Sequence, residues 1–529
     1  MRVRDAAYDV LRRHDMRRVF GNPGSTEIPF LTDFPEDFDY VLGLHEGAIV
    51  GVASGYALAT GRPAFVNLHT AAGLGNAVNA IVCARDNRIP LVVAVGQQDR
   101  RQLALQPFLT GRGLERLAGD YPVWSNQPAH PADVPSALAR AFHEASFRRG
   151  PALVVVPVGD WDEELPGDGV HPAAAPAEAS FPPAVAEQQL RRLEMLLDAA
   201  ARPALVVGAG IDTPAGWRAV TDLAERLACP VWQDTFSSRA GFPQDHPLFA
   251  GHLSWRRREL RSAFEENDLV VAVGTPAFRL YLYEEGRLVQ PGTAVAVVSD
   301  DADEAFRSPC DLAVVAPPEL VCAALAARMP QRAAPMSSPF ERPEPPAPAA
   351  PLRAEHVVAA LAARLPRDAA LFEEAPSTRP EILARIAIRV PTGFIAVANG
   401  ALGFGLTGAI GMRMAAPERA VVALLGDGSA TYTIQSLWTA AHYKVGVVVV
   451  IIGNGRYQVM DGLAEAHGAP GAWPTFDELD LSSVARGFGC NAERIETHEE
   501  LERALDEALA NPDGRDAPLL LDVRVAAAA

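Results

Sequence analysis

The chain is poor in cysteine, in positive charge and in long apolar runs, and each shortage removes a class of function. Its five cysteines (Cys83, Cys229, Cys310, Cys322, Cys490) are scattered, odd in number and without metal-type spacing. That pattern excludes a disulfide framework and a zinc site, and predicts small buried thiols in a reducing cytoplasm. Lys and Arg number 47 against 65 Asp and Glu, leaving a net charge of −18. Such a balance argues against general affinity for nucleic-acid phosphates or anionic lipid, so neither nucleic acid nor membrane is an expected partner. The longest apolar run, Val445 to Ile452, is far too short to span a bilayer and reads as a buried strand. Met1 to Leu11 carries Arg2, Arg4 and Asp5 without an apolar core, so no secretory signal is visible and a cytoplasmic location is expected.

What is present is the composition of a soluble globular protein, with 49% hydrophobic and 21% charged residues. A length of 529 residues suits about three domains. Two stretches rich in proline and alanine, 166–183 and 330–351, lack apolar periodicity and read as semi-rigid connections. They divide the chain into expected domains at residues 1–165, 184–330 and 351–529. In all three, short valine-rich runs end in glycine and helical patterns follow, as in Pro90–Gly96, Leu269–Gly274 and Ala420–Gly426. Continuous apolar strands alternating with helices predict an α/β fold of three doubly wound parallel sheets. Ligands in such sheets sit at the carboxyl ends of the strands.

The most informative of those ends is VVALLGDGSATY, Val421 to Tyr432. Gly426 and Gly428 let the backbone approach an anion, with Ser429 beside them, and the helical pattern from Ser436 supplies free N–H groups. Asp427 offers a hard oxygen to a divalent cation held next to that anion. About two dozen residues later the next strand ends in Gly453-Asn454-Gly455-Arg456, the interval of a strand–helix–strand unit. Asn454 can therefore add a carbonyl oxygen to the same cation.

GDGS followed at this interval by Asn-Gly resembles the diphosphate and metal motif of thiamine-diphosphate enzymes. The resemblance implies Mg2+ (or Ca2+) on Asp427, the Asn454 side chain and the Arg456 main-chain carbonyl. Gly426, Gly428, Ser429 and Tyr457 would then contact the cofactor. Gly453 departs from the pattern, which has a first Asn of a pair there. Such enzymes need a carboxyl group on the cofactor's aminopyrimidine ring. Glu46 fits, lying between the strand-like Tyr40 to Leu44 and the helical Gly47 to Ala59.

The likeness extends in particular to benzoylformate decarboxylase, within the thiamine-diphosphate-dependent 2-keto acid decarboxylases. It is carried by VFGNPGSTEIPFLTDFPEDFD (Val19 to Asp39), PAFVNLHTAAGLGN (Pro63 to Asn76), LVVAVGQQ (Leu91 to Gln98), ANGALGFGLTGAIG (Ala398 to Gly411) and Gly426 to Tyr443. It implies a pyrimidine-binding, a central and a diphosphate-binding domain, with each site shared between two subunits. A homodimer is then the minimum unit and a homotetramer the usual one. Leu402, beside Gly400, would be the apolar wedge under the cofactor, and Asn22, Pro23 and Gly24 would also contact it. Ser25 would hold the substrate carboxylate and His69 would relay protons, a role suited to a side chain that changes charge near neutrality.

Two departures bear on substrate. Where the family's decarboxylase has a second active-site histidine, the matching run PAFRLYLY carries Tyr281, and a tyrosine hydroxyl is a poor proton carrier at neutral pH. Two aromatic pocket positions appear as Ala396 and Leu463, Val459 and Met460 keep the wall apolar, and Arg456 and Arg379 replace small hydroxylated residues. The expected reaction is non-oxidative decarboxylation of a 2-keto acid other than benzoylformate to an aldehyde. The expected substrate is an aliphatic, bulkier or anionic one, with either arginine as candidate anion partner. Two alternatives stay open: a carboligase or lyase that joins the decarboxylated fragment to an acceptor aldehyde as a 2-hydroxyketone, and an acetolactate-synthase-like enzyme with FAD at ALVVGAGI, Ala204 to Ile211.

Overall fold

The computed structural model describes residues 1–165, 184–333, 340–511 and 514–527. Three six-stranded sheets organise them. The first runs in the order Asp39–Leu42, Arg18–Asn22, Ala64–Leu68, Leu91–Gln97, Pro151–Pro157, Trp124–Asn126. The second runs Leu312–Val315, Ala294–Ser299, Leu269–Val273, Pro203–Val207, Val231–Gln233, Phe249–His252. The third runs Phe394–Ile395, Ala370–Glu374, Val421–Gly426, Val448–Gly453, Leu519–Arg524, Asn491–Ile495. The strands are parallel, as the sequence grammar predicts. The connection expected at 166–183 lies outside the described residues, and the described part of 330–351 holds neither helix nor strand.

The chain forms two compact units, one holding the first sheet and the strands from Val421 onward, the other holding the second sheet. In the first unit, Ala64–Leu68, Leu91–Gln97 and Pro151–Pro157 are buried at every position. They are apolar apart from the buried Asn67 and Gln97 because both faces are covered. One face shares a core with the helices Val3–Arg13 and Val134–Arg148. In the second unit alternate residues part by face. Leu205, Val207, Val271 and Val273 join one core, while Ala204, Val206, Val270 and Ala272 join another.

One helix pair in the first unit positions the site. Helix Glu46–Thr60 carries Glu46 at its start, and helix Gly405–Ala415 begins just after Leu402. Their backbones touch. A Cβ on Gly55 would lie 1.9 Å from the Gly408 carbonyl oxygen, and one on Gly411 would lie 1.8 Å from that of Val52. Main chain faces main chain, so no flexible side chain can yield. Gly411→Ala is expected to cost about 1–3 kcal/mol through overpacking, read as a lower urea midpoint. An unchanged midpoint would show that the two helices can part freely.

Candidate active site

In the first sheet Gly21 pairs with Leu42 and Asn22 with Leu68. The segments that follow these strands therefore leave the sheet at one edge, bringing Gly24, Glu46 and His69 together. Glu46 is 9% exposed. Its carboxylate accepts hydrogen bonds from the Asn22 amide at 3.1 Å and the Asn76 amide at 3.0 Å. Asn76 was not foreseen. It lies on the helix Thr70–Asp86, whose N-cap is His69, and a spacing of about two turns puts both on one face. His69 Nδ1 lies 2.9 Å from Thr26 Oγ1 and 3.0 Å from Glu27 Oε2. Neither partner was singled out by the sequence. Ser25 and Pro23 are exposed on the same loop.

In the third sheet Gly426 pairs with Ile452, so Asp427 and Gly453-Asn454 follow adjacent strand ends, as the interval predicts. Asp427 is buried and accepts the Gly428 N–H at 2.8 Å and the Gly455 N–H at 2.7 Å. Burial raises its pKa above the usual aspartate range, and those bonds only partly oppose the shift. Asn454 donates to Gln458 Oε1 at 2.7 Å and accepts the Arg456 N–H at 3.1 Å. Gly428 lies under Tyr457, where a Cβ would meet the ring at 2.6 Å, and Ser429 is buried beside it. At Gly453 a Cβ would lie 3.2 Å from Arg524 Nη1 and 3.4 Å from Asp522 Oδ1, contacts that a small shift of those side chains would accommodate.

A buried carboxylate with spare lone pairs, one amide oxygen and main-chain carbonyls is the donor set of a hard divalent cation. Among the described residues no three His, Cys, Asp or Glu side chains cluster as a metal site. A cation here must draw its remaining ligands from main chain, water or phosphate oxygens. The residues present fit such an ion beside a diphosphate.

Leu402 sits on a bend in which Gly400 and Gly403 take φ of +74° and +101°. Its carbonyl accepts the Asn79 amide at 3.0 Å. The buried Glu374 carboxylate, at the end of its strand, takes the N–H groups of Gly403, Phe404 and Gly405 at 2.7, 2.9 and 2.7 Å. A cavity of about 240 Å³ lies where Leu402 meets Gly47, Asn76, Asn79 and Tyr432. Among the described residues no hydrogen bond or ion pair joins the Glu46 group to the Asp427–Asn454 group.

The expected pocket residues divide between the units. Val459 and Met460 are 37% and 46% exposed on the helix Gln458–Ala466, which also carries the partly buried Leu463. Ala396 is buried in the other unit. Tyr281, also there, is 57% exposed and packs edge-on against Phe236 and Trp255. Both arginines have carboxylate partners. Arg456 Nε lies 2.7 Å from Asp461 Oδ2, whose other oxygen accepts the Trp473 indole N–H at 2.9 Å. Arg379 pairs with Glu373 and donates to the Thr235 carbonyl at 2.8 Å. Neither arginine therefore brings an uncompensated charge.

The glycines of ALVVGAGI serve internal packing. A Cβ on Gly208 would meet Thr275 Cβ at 2.7 Å, and one on Gly210 would meet Gly274 Cα at 2.7 Å. Beyond them Arg279 spans Asp234 at 2.9 Å and Glu304 at 3.2 Å.

Comparison with known proteins agrees with this geometry. Residues 1–114 match the thiamine pyrophosphate enzyme N-terminal TPP binding domain, 190–325 the central domain and 381–523 the C-terminal TPP binding domain. The chain is 40% identical over 528 residues to benzoylformate decarboxylase of Pseudomonas aeruginosa, covering 98% of each. It belongs to the thiamine pyrophosphate enzyme family. Within that family it falls among the decarboxylases, the carboxy-lyase branch. The thiamine diphosphate-dependent 4-hydroxybenzoylformate decarboxylase of Rhodococcus jostii RHA1 superposes with a TM-score of 0.94 at 35% identity, over 99% of both chains. More distant likeness reaches the acetolactate synthase large subunit of Parasynechococcus marenigrum, 29% identical over 98% of this chain and 87% of that one. No helix among the described residues is long and apolar enough to cross a membrane.

Proposed function

We propose that this enzyme decarboxylates a 2-keto acid with an uncharged aliphatic or bulkier side chain to an aldehyde, with thiamine diphosphate and Mg2+ bound between two subunits. The observation that carries the reading is Glu46, a buried carboxylate that accepts from the Asn22 and Asn76 amides and, among the described residues, has no basic side chain bonded to it. It is free to share a proton with a ring nitrogen of the cofactor. Thiamine diphosphate, when bound, supplies the electron sink that takes up the pair released with carbon dioxide. Asp427, Asn454 and the Arg456 carbonyl would hold the metal, Gly428 and Ser429 the diphosphate, and Leu402 would support the rings from below. Ser25 would orient the substrate carboxylate, and His69 would carry the proton to and from the reacting substrate atoms. The family resemblance supports a site completed by a second copy, with a homodimer as the minimum unit and a homotetramer as the usual one.

The carboxylate partners of Arg456 and Arg379 remove the motive for an anionic side chain, and where the resemblance implies two aromatic pocket positions this chain has Ala396 and Leu463, a loss of about 0.5–1.5 kcal/mol per aromatic pair. Aldehyde and carbon dioxide should be measured with a keto-acid panel in the presence of thiamine diphosphate and Mg2+. Turnover of branched or long-chain keto acids above benzoylformate is expected. Clear preference for benzoylformate would overturn the substrate assignment, and no turnover of any keto acid would overturn the whole reading. The close approach of Gly208 to Thr275 and of Gly210 to Gly274 accounts for these glycines without FAD in the central domain. A second reading, transfer to an acceptor aldehyde, is favoured by Tyr281, which leaves the proton with one fewer histidine carrier. The same panel with added aldehyde would reveal it as a hydroxyketone.

A further inference from the structure

Glu27 is 1% exposed, as is its neighbour Thr26, and Glu27 lies where the loop after Asn22 turns into the short helix Ile28–Leu31. Burial raises the pKa of its carboxyl group, so such a group requires compensating donors. Three are present. Oε2 takes the Gly24 N–H at 2.8 Å and faces His69 Nδ1 at 3.0 Å, while Oε1 takes the Thr26 hydroxyl at 2.5 Å. With its proton committed to Glu27, Thr26 Oγ1 can only accept from His69 Nδ1 at 2.9 Å. Both neighbours of Nδ1 are thus acceptors.

The slot that holds this arrangement is built by two missing side chains. A Cβ on Gly24 would lie 2.4 Å from the His69 ring, and one on Gly96, in the adjacent strand, would lie 1.9 Å from Glu27 Oε1 and 2.3 Å from Thr26 Oγ1. Ring and carboxylate are each clamped against main chain. A Cβ on Gly73 would lie 3.3 Å from Glu46 Cγ and 3.6 Å from His69 Cβ, and Tyr40 is a further titratable side chain close enough to feel Glu27.

We propose that Glu27, with Thr26, is the positioning residue for His69: it fixes the imidazole as the Nδ1–H tautomer and turns Nε2 toward the substrate. The inference rests on the proton-carrying role given above to His69. By the family resemblance the second histidine position is a tyrosine in this chain, so one histidine must both deliver and receive protons, which a ring free to flip or to change tautomer does poorly.

The test uses the holoenzyme with ¹⁵N-labelled histidine, the His69 signals being assigned by their loss in His69→Ala. Wild type is expected to show protonated Nδ1 and unprotonated Nε2 in the neutral ring. In Glu27→Gln, whose amide can donate to the ring, the Nδ1–H form is expected to lose its dominance. A wild-type Nε2–H signal, or an unchanged tautomer in Glu27→Gln, would overturn the proposal, and the first of these needs no variant to fold. Glu27→Gln should also lower kcat about 10–100-fold, the scale seen when the partner orienting a metal-bound histidine is removed. It should leave KM nearly unchanged and have no further effect in a His69→Ala background. An equal loss in that background would mark Glu27 as merely structural and overturn the proposal. If His69→Ala alone kept full turnover, the proposed proton role would fail, while the tautomer would still decide the part played by Glu27.

Discussion

Glu46→Gln is expected to lower kcat by about 10²–10⁴-fold, the range set by losing a positioned acid–base group, while the protein stays folded. The two side chains have the same shape, so helix Glu46–Thr60 should begin as before. What changes is the chemistry at one atom. The carboxylate now accepts from two amides, Asn22 at 3.1 Å and Asn76 at 3.0 Å. A glutamine can accept from one of them, while its own NH2 meets the other donor or turns toward the ring nitrogen. It has no proton to exchange there. One mismatched buried contact costs about 1–3 kcal/mol, a modest drop in unfolding midpoint beside a large drop in turnover. Thermal unfolding and steady-state rates, measured on the same preparation at saturating cofactor, separate the two. Undiminished turnover would remove the central support for the proposed chemistry.

Glu46 was legible in the sequence because it stands where an apolar run gives way to a helix of small residues, and Asp427 with Asn454 because their interval is that of one strand–helix–strand unit. The register Gly426 to Ile452 realises that interval directly. Other parts were hidden. Asn76, Thr26, Glu27 and Glu374 belong to no spacing rule of their own. Their roles arise only when distant segments meet: Glu27 beneath His69, Glu374 behind the Leu402 bend. A faint signal existed for Asn76, which shares a helix face with His69. The strand Ala370–Glu374 ends in two buried carboxylates, and the strand Phe394–Ile395 is two residues long, so neither announces itself as an apolar run. Arg456 and Arg379 show the opposite limit. The sequence displays their charges but not Asp461 and Glu373, which neutralise them in space. Charge was readable, and compensation was not.

Asp427→Asn should weaken metal-dependent activation on the order of 100-fold, since a carboxylate–cation contact is worth several kcal/mol and about 1.4 kcal/mol is a factor of ten. The carboxylate accepts main-chain N–H groups on both oxygens, from Gly428 at 2.8 Å and Gly455 at 2.7 Å. Asparagine would set its NH2 against one of those donors and would also withdraw the negative charge from the cation. The loss should appear as a higher Mg2+ concentration for half-activation, with kcat partly recovered when metal and thiamine diphosphate are raised together. Acidity should act in the same direction on the wild type. Because burial raises the Asp427 pKa, the metal-free protein takes up this proton sooner on acidification than an ordinary aspartate would, and a protonated carboxyl must release it before binding a cation. Metal uptake should therefore weaken as pH falls through that raised value and recover above it. In Asp427→Asn this component of the pH dependence should vanish, because no proton remains to be displaced. Wild-type metal affinity in the variant would mean that the cation is held elsewhere, and the alignment of GDGS with Asn454 would lose its chemical meaning.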